Sequence, residues 1–479
     1  MADNDVLSAE PILCVDLDGT LIHTDLLYES LLMLVRQSPL TALRVPLWLL
    51  RGRAYLKQQI ASRVQPEVAN LPYNQSLLAE LKRERARGRR MALVTGSPTA
   101  FAQSVARELK LFDEVIATDD EVNLTGSRKA DRLVQRFGAR GYDYAGDSIT
   151  DIPVWTQARE AWTVDVPPVA KKLATGARFT HRFDRPRPSL GQYLKAMRVH
   201  QWLKNVLVFV PLLAAHRVAE PQLALNAMVM FVAFSLCASS GYVLNDLFDL
   251  AADRAHARKR NRPFASGTLP LTHGIAMVPL LLGAAIALVA TRLNLLSLGV
   301  LLAYYVGTMA YSLFLKQRAT VDVLTLAGLY TLRIIAGSAA TGILPSFWLL
   351  AFSMFLFFSL AVVKRFSEVL AVRARGENRL HSRGYRAEDD MVLSVMGVSS
   401  GFMSVLVLAL YVQSGPVRSL YHHPFLISLL CPLLLFWICR AWIKTHRGEM
   451  HDDPLVFAAT DRISWVVAAM ALAILIVAA

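Results

Sequence analysis

Cysteine is scarce in this chain, acidic residues are outnumbered by basic ones, and no leader is expected at its start. Cys14, Cys237, Cys431 and Cys439 are its four cysteines in 479 residues, and they form no CxxC pair and no metal-ligand spacing. That excludes a disulfide framework and leaves them as buried free thiols. Asp and Glu number 37 against 51 Lys and Arg, a net charge of +14. In a soluble protein this imbalance points to nucleic acid. Here much of the basic charge lies in short loops beside apolar runs, where the positive-inside rule accounts for it, so no nucleic-acid partner is expected. No signal peptide is read, because the apolar run from Pro11 is short and stops at Asp16 and Asp18. Long apolar runs are missing before about Arg187 and prevail after about Gln201, and 54% of all residues are hydrophobic. The expected organisation is two-domain: a soluble α/β domain over 1–182, a linker over 183–200 and an all-α polytopic membrane bundle over 201–479.

In the soluble part three apolar runs end in polar residues. Ile12–Val15 leads into Asp16-Leu17-Asp18-Gly19-Thr20, Met91–Val94 into Thr95-Gly96-Ser97, and Tyr142–Ala145 into Gly146-Asp147 and Asp151, while Lys129 follows a turn at Gly126. The carboxyl ends of strands are where ligands bind an open α/β sheet. The residue types suit metal-assisted phosphoryl transfer. Asp16 can be the nucleophile and Asp18 the general acid, then base. Asp147 and Asp151, with Asp16 and Asp18 beside them, can hold Mg²⁺. Thr95 and Lys129 can bind phosphoryl oxygens. Singly, such residues also cap strands. Together and in order they resemble the four motifs of haloacid dehalogenase superfamily phosphatases, over roughly residues 10–170. The resemblance implies a Rossmann-like fold with a helical cap inserted at about 26–74. The basic residues of that cap (Arg36, Arg44, Arg51, Arg53, Lys57) let it either rest on anionic lipid or pack on its own domain.

Hydropathy predicts about nine spans, near 203–219, 225–247, 273–291, 295–314, 322–342, 347–365, 391–412, 424–443 and 462–479. Basic residues precede the first and fill the loops after the second, fourth, sixth and eighth, so those loops and the N-terminal domain are expected on the cytoplasmic side of a bacterial-type inner membrane.

At the end of the second span stands Asn245-Asp246-Leu-Phe-Asp249-Leu-Ala-Ala-Asp253, then Arg258-Lys259-Arg260-Asn261-Arg262-Pro263. On a helix, Asn245, Asp246, Asp249 and Asp253 fall within an arc of roughly 100°. Like charges so placed repel, so a cation is expected among them, and oxygen-only ligands suit Mg²⁺. Arg258 and Arg262 can take phosphate. The pattern resembles the first signature of the UbiA superfamily of intramembrane transferases, over roughly 190–479; that family binds a Mg²⁺-diphosphate in a helical bundle open to lipid.

Most members carry a second aspartate-rich motif in the loop after the sixth span. This sequence has Lys364-Arg365-Phe-Ser-Glu368 there, followed by Arg373, Arg375 and Tyr385. With Arg198-x-x-Gln201-Trp202-x-Lys204-Asn205, His451-Asp452-Asp453-Pro454 and Asp461-Arg462, the pattern is similar to the decaprenyl-phosphate phosphoribosyltransferase branch. The implied substrates are phosphoribosyl diphosphate and a polyprenyl phosphate, whose extra anionic groups favour Lys364 and Arg365 over a second acidic set. Glu368 either pairs with Lys364 or takes a cation, and Tyr385 is counted with the substrate-binding residues. Arg333, deep in its span, either binds phosphate or pairs with a carboxylate. Lys204 either contacts phosphate or anchors the first span at the interface. The alternative activity is transfer of a prenyl chain from its diphosphate to a small acceptor. A third reading makes the membrane part a mere anchor for the phosphatase.

Overall fold

The computed structural model describes residues 10–119, 123–185, 187–376, 378, 380, 383–414, 421–450 and 454–478. His451, Asp452 and Asp453 of the sequence pattern lie outside them. The chain divides into two compact units, Met1–Arg198 with Tyr242–Pro279, and Val199–Gly241 with Leu280–Ala479.

The first unit holds a six-stranded sheet in the order β3-β2-β1-β4-β5-β6. Its strands are β1 (Ile12–Val15), β2 (Met91–Pro98), β3 (Glu114–Thr118), β4 (Tyr142–Gly146), β5 (Ala161–Val164) and β6 (Phe179–Phe183), and every pairing is parallel. β1, β4 and β5 are buried at every residue, which is why the sequence shows unbroken apolar runs there instead of alternation. Leu13 and Val15 join one hydrophobic cluster and Ile12 and Cys14 another, one on each face of the sheet. Asp143, the charged residue of β4, is wholly buried and is held by Arg89 and Arg159. The chain leaves β1 for β2 on one side and later returns to β4 on the other. The crevice at that reversal opens at the carboxyl ends of β1 and β4.

The cap begins with helix α1 (Leu26–Gln37). Asp25 caps it, its carboxylate accepting from the Leu27 and Tyr28 amides at 2.8 and 3.3 Å. Helices Pro39–Ala42, Val45–Leu50 and Arg53–Ala61 follow. Leu34, Trp48, Leu56, Ile60 and Val64 make a small core. Leu40, Leu43, Leu47 and Leu50 point outward at 81, 74, 62 and 84% exposure, beside the exposed Arg44, Arg51 and Arg53.

The rest of this unit comprises the end of α2 (Pro221–Phe248), α3 (Leu250–Ala255) and the segment up to Pro279. Leu32 of α1 shares a core with Val243, Leu247, Leu250, Phe264, Leu269 and Leu271 of this segment.

Among the described residues seven helices are long and apolar enough to cross a membrane, as an integral membrane protein requires. The first and last predicted spans are shorter: Val199–Ala214 and Arg462–Ala478. Eleven residues of the former form a 3-10 helix, Val199–Phe209. In the second unit α4 (Val321–Thr341) is followed by α5 (Phe347–Ala374). Contrary to the expected loop, Lys364–Glu368 is helical. Nothing between Phe347 and Ala374 breaks a helix, and the first stop is Gly376 at φ +73°.

Candidate active sites

The crevice of the sheet is a cavity of about 250 Å³ lined by Asp16, Asp18, Lys129 and Asp147 together with cap residues Asp25, Leu27 and Lys57. Asp16 follows β1, and its carboxylate receives the Lys129 ammonium at 2.9 Å. Lys129 also donates to Tyr144 Oη at 2.8 Å and Asp151 Oδ1 at 3.4 Å. Tyr144 in turn donates to Asp151 Oδ1 at 2.8 Å. Asp16, Asp147 and Asp151 offer oxygens within 4.8 Å of one another, the only such group of three among the described residues. Three hard carboxylate donors at this spacing fit Mg²⁺. Gly19 sits at φ +76°, where a β-carbon would collide with the Asp147 carboxylate, so the glycine lets the first motif close over the last.

Asp18 stands apart from that acidic group. Its Oδ1 accepts the Leu26 amide at 2.9 Å and its Oδ2 accepts Ser97 Oγ at 2.6 Å. Thr95 Oγ1 is 3.5 Å from the same oxygen and accepts the Ser97 amide at 3.0 Å. Thr95 therefore shapes the loop that holds Asp18. The sequence reading missed Lys57 and Tyr144 as members of this site. Lys57 donates to Gly96 O at 2.5 Å and Asn123 Oδ1 at 2.9 Å, which turns one of the cap's basic residues inward.

Burial, then the neighbouring Asp25 carboxylate, push Asp18 up to about 7. Burial also raises Asp16 to about 7, with Lys129 opposing and Asp151 reinforcing the rise. Burial disfavours the Lys129 charge, but Asp16 and Asp151 outweigh it and raise the ammonium above its usual range. An Asp18 protonated near neutrality suits a general acid. Replacing Asp25 with Asn retains a good helix cap and removes one charge that keeps the proton on Asp18. The acid form is then lost at lower pH, so the alkaline limb of the pH–rate profile for a soluble phosphate ester should move to lower pH. An unmoved limb would show that Asp18 is not the group titrating.

The second candidate site hangs on the corner between α2 and α3. Here the cations are arginines. Asp246 is bound by Arg198 and, at 3.0 Å, by Arg262. Arg262 reaches Asp253 Oδ2 at 2.6 Å, and Arg36 from the cap reaches Asp249 Oδ1 at 2.8 Å. The sequence assigns Arg262 to phosphate, whereas the structure shows it bridging two carboxylates. Asn245 is half-buried beside them, and Arg258 is exposed. The like charges anticipated from the helical spacing are thus held by guanidinium groups.

In the second unit Arg365 is fully buried and bound to Asp322, to Glu368 Oε2 at 2.7 Å and to Tyr311 Oη at 2.9 Å. Arg383 closes the same network, 3.3 Å from both Asp322 and Glu368. Glu368 thus pairs with arginines. Tyr385, also buried, accepts the Thr320 amide at 3.2 Å. Lys364 is only partly buried. Arg333 donates to Asn205 Oδ1 at 2.8 Å, Leu329 O at 2.5 Å and Tyr304 Oη at 2.9 Å, so these partners are an amide, a carbonyl and a phenol, where the sequence left phosphate or a carboxylate open. The Lys204 ammonium lies 5.9 Å from the centre of the Tyr330 ring.

Comparison with known proteins separates the same two parts. Residues 206–460 match the UbiA prenyltransferase family, and residues 13–155 match the haloacid dehalogenase-like hydrolases. The "uncharacterized protein y4nM" of Sinorhizobium fredii is 36% identical over 466 residues, 96% of this chain and 89% of that one. Nodulation protein NoeC of Azorhizobium caulinodans is 38% identical over 277 residues, 56% of this chain and 87% of its own. Decaprenyl-phosphate phosphoribosyltransferase of Mycolicibacterium smegmatis is 34% identical over 219 residues, 43% of this chain and 68% of its own.

Proposed function

We propose, since this chain belongs to the UbiA prenyltransferase family and carries an N-terminal haloacid dehalogenase-like hydrolase domain, that it makes a polyprenyl-phosphoryl pentose in two steps. Phosphoribose passes from phosphoribosyl diphosphate to a polyprenyl phosphate, and the hydrolase domain then removes the phosphate left on the sugar. The observation that carries this reading is the second motif, where a partly buried Lys364 and an Arg365 paired with Asp322 and Glu368 stand in place of a second aspartate set. A donor and an acceptor that both bring extra phosphate need cations there. The similarity to decaprenyl-phosphate phosphoribosyltransferases supports it.

In the first step a lipid phosphate oxygen attacks the anomeric carbon, the carbon–oxygen bond to the diphosphate breaks, and diphosphate departs. Asp246, Asp249 and Asp253 would hold Mg²⁺ in place of the Arg198 and Arg262 groups that pair with Asp246 and Asp253 here, and the ion would neutralise charge on a departing diphosphate. Arg258 and Arg262 of the first unit are candidate cations for phosphate, as are Lys204 and Lys364 of the second; Arg365 ties the helix of Lys364 to Asp322, and Arg333 holds Asn205, the neighbour of Lys204. In the second step the Asp16 carboxylate attacks the phosphorus of the sugar phosphate while Asp18 gives its proton to the sugar oxygen. Asp18 then takes a proton from the water that hydrolyses the aspartyl-phosphate. Lys129 steadies the transferring phosphoryl group, and Asp16, Asp147 and Asp151 would hold the Mg²⁺ of this site. The positive-inside pattern supports placing both steps on the cytoplasmic side of the inner membrane. Diphosphate release that requires both phosphoribosyl diphosphate and polyprenyl phosphate tests the first step. A prenylated small acceptor as product would instead establish prenyl transfer.

The outward leucines of the cap suit a hydrolase whose substrate stays in the bilayer. Leu43→Asp with Leu47→Asp should leave hydrolysis of a soluble ester unchanged. It should slow hydrolysis of the lipid-linked substrate in vesicles by about ten-fold or more, because two leucines lose apolar contact. Equal effects on both substrates would remove the lipid from the explanation.

A further inference from the structure

Helix α1 belongs to the hydrolase fold by sequence, yet both of its ends carry chemistry. At its start Asp25 and Leu27 line the hydrolase cavity, and the Leu26 amide donates to Asp18 at 2.9 Å. Farther along, Glu29, Leu32 and Arg36 are spaced by three and four residues and so lie on one face. All three grip the segment that carries the transferase aspartates. The Glu29 carboxylate takes the Arg254 guanidinium through two bonds of 2.9 and 2.5 Å, with side-chain exposures of 6 and 5%. Thr24 Oγ1 donates to the same carboxylate at 2.6 Å, and Arg254 Nε donates to Ala265 O at 3.0 Å. Leu32 packs against Val243, Leu247 and Leu250.

Arg36 completes the grip. Its Nη1 lies 2.7 Å from Phe248 O and 2.8 Å from Asp249 Oδ1. Phe248 ends α2, so its carbonyl is one that the helix itself cannot satisfy. Asp249 is the N-cap of α3. One guanidinium nitrogen therefore ties the Phe248 carbonyl to the Asp249 carboxylate at the corner, and Asp246 and Asp253 leave that corner in opposite directions along the chain. An exposed ion pair alone would carry little weight, since Arg36 keeps 37% of its side-chain surface. The carbonyl bond, the buried Glu29–Arg254 pair two turns earlier and the shared core give this one a fixed geometry.

We infer that Arg36 is a positioning residue of the transferase, supplied by the hydrolase cap: it orients Asp249 and the α2–α3 corner for a magnesium-diphosphate group. The inference rests on the reading that these aspartates hold that group. Fusion of the two domains then does more than raise local concentration, because the transferase needs a side chain from the hydrolase half.

The test uses the full-length protein in vesicles. Arg36→Ala should raise the Mg²⁺ concentration for half-maximal diphosphate release by about ten-fold, the usual effect of removing a group that orients a metal ligand, while retaining most of kcat at saturating Mg²⁺. Mn²⁺ binding in the presence of diphosphate, read by electron paramagnetic resonance in an Asp147→Asn background that weakens the hydrolase site, should weaken to a similar extent. Arg36→Lys should recover part of the loss, because an ammonium keeps the charge without the rigid fork. Hydrolysis of a soluble phosphate ester should stay at the wild-type rate in both. Unchanged Mg²⁺ and Mn²⁺ dependence in Arg36→Ala overturns the inference. If that variant also loses ester hydrolysis, it has misfolded and Arg36→Lys decides by the same two readouts. Wild-type protein that releases no diphosphate from the two substrates overturns the underlying reading instead.

Discussion

Asp249→Ala is expected to lower transfer by about two to three orders of magnitude, the loss typical of removing a group that stabilises developing charge, while the hydrolase keeps working on a soluble ester. The two sites use separate residues, and Asp249 meets the hydrolase half through Arg36 at the far end of α1. Diphosphate release with both substrates and ester hydrolysis should be measured on the same preparation. Retained transfer would reduce the membrane part to a lipid-binding anchor. Loss of both activities would show that the α2–α3 corner is needed for folding, and Asp249→Asn would then be the informative change.

Asp16→Asn should act on the other half. Removal of a nucleophile that works in concert with its acid should cost the hydrolase at least about three orders of magnitude. Transfer continues, so the lipid product accumulates with its sugar phosphate still attached. The substituted amide keeps the size of the side chain, and Lys129 retains Asp151 at 3.4 Å and Tyr144 at 2.8 Å as partners, so the buried ammonium is not stranded. Chromatography of the lipids should show the phosphorylated species in place of its dephosphorylated form. If the dephosphorylated lipid appears at the wild-type rate, a different enzyme or a different residue removes the phosphate.

The hydrolase fold was legible in the sequence because each polar set follows a short apolar run, and a wholly buried parallel strand leaves that signature. Asp16, Asp147 and Asp151 come together because β1 and β4 are neighbours. What the sequence hid is what comes from a distance. Lys57 bonds Gly96, 39 positions away, and looked like a surface cation of the cap. Tyr144 looked like an ordinary strand residue until its hydroxyl was placed between Lys129 and Asp151.

The membrane part was legible in its long helices, since hydropathy reports them directly. It was less so at Val199–Ala214, a short apolar stretch that is largely 3-10. Charge at Lys364 marked an expected end of the span, but charged residues with good helix propensity continue a helix as readily as they end one. The arginine partners of the aspartates were out of reach altogether. Arg365 and Asp322 lie 43 positions apart, and Glu29 and Arg254 lie 225 apart. Helical periodicity identifies which carboxylates share a face, but not which cation meets them.

The most direct test of the account is a single reaction with a doubly labelled donor, phosphoribosyl diphosphate carrying carbon-14 in the ribose and phosphorus-32 in the phosphate on its fifth carbon. With polyprenyl phosphate, Mg²⁺ and the wild-type protein, the account predicts that carbon-14 enters the lipid fraction. Phosphorus-32 passes through that fraction and leaves as inorganic phosphate. A lipid fraction that gains neither label would contradict the account.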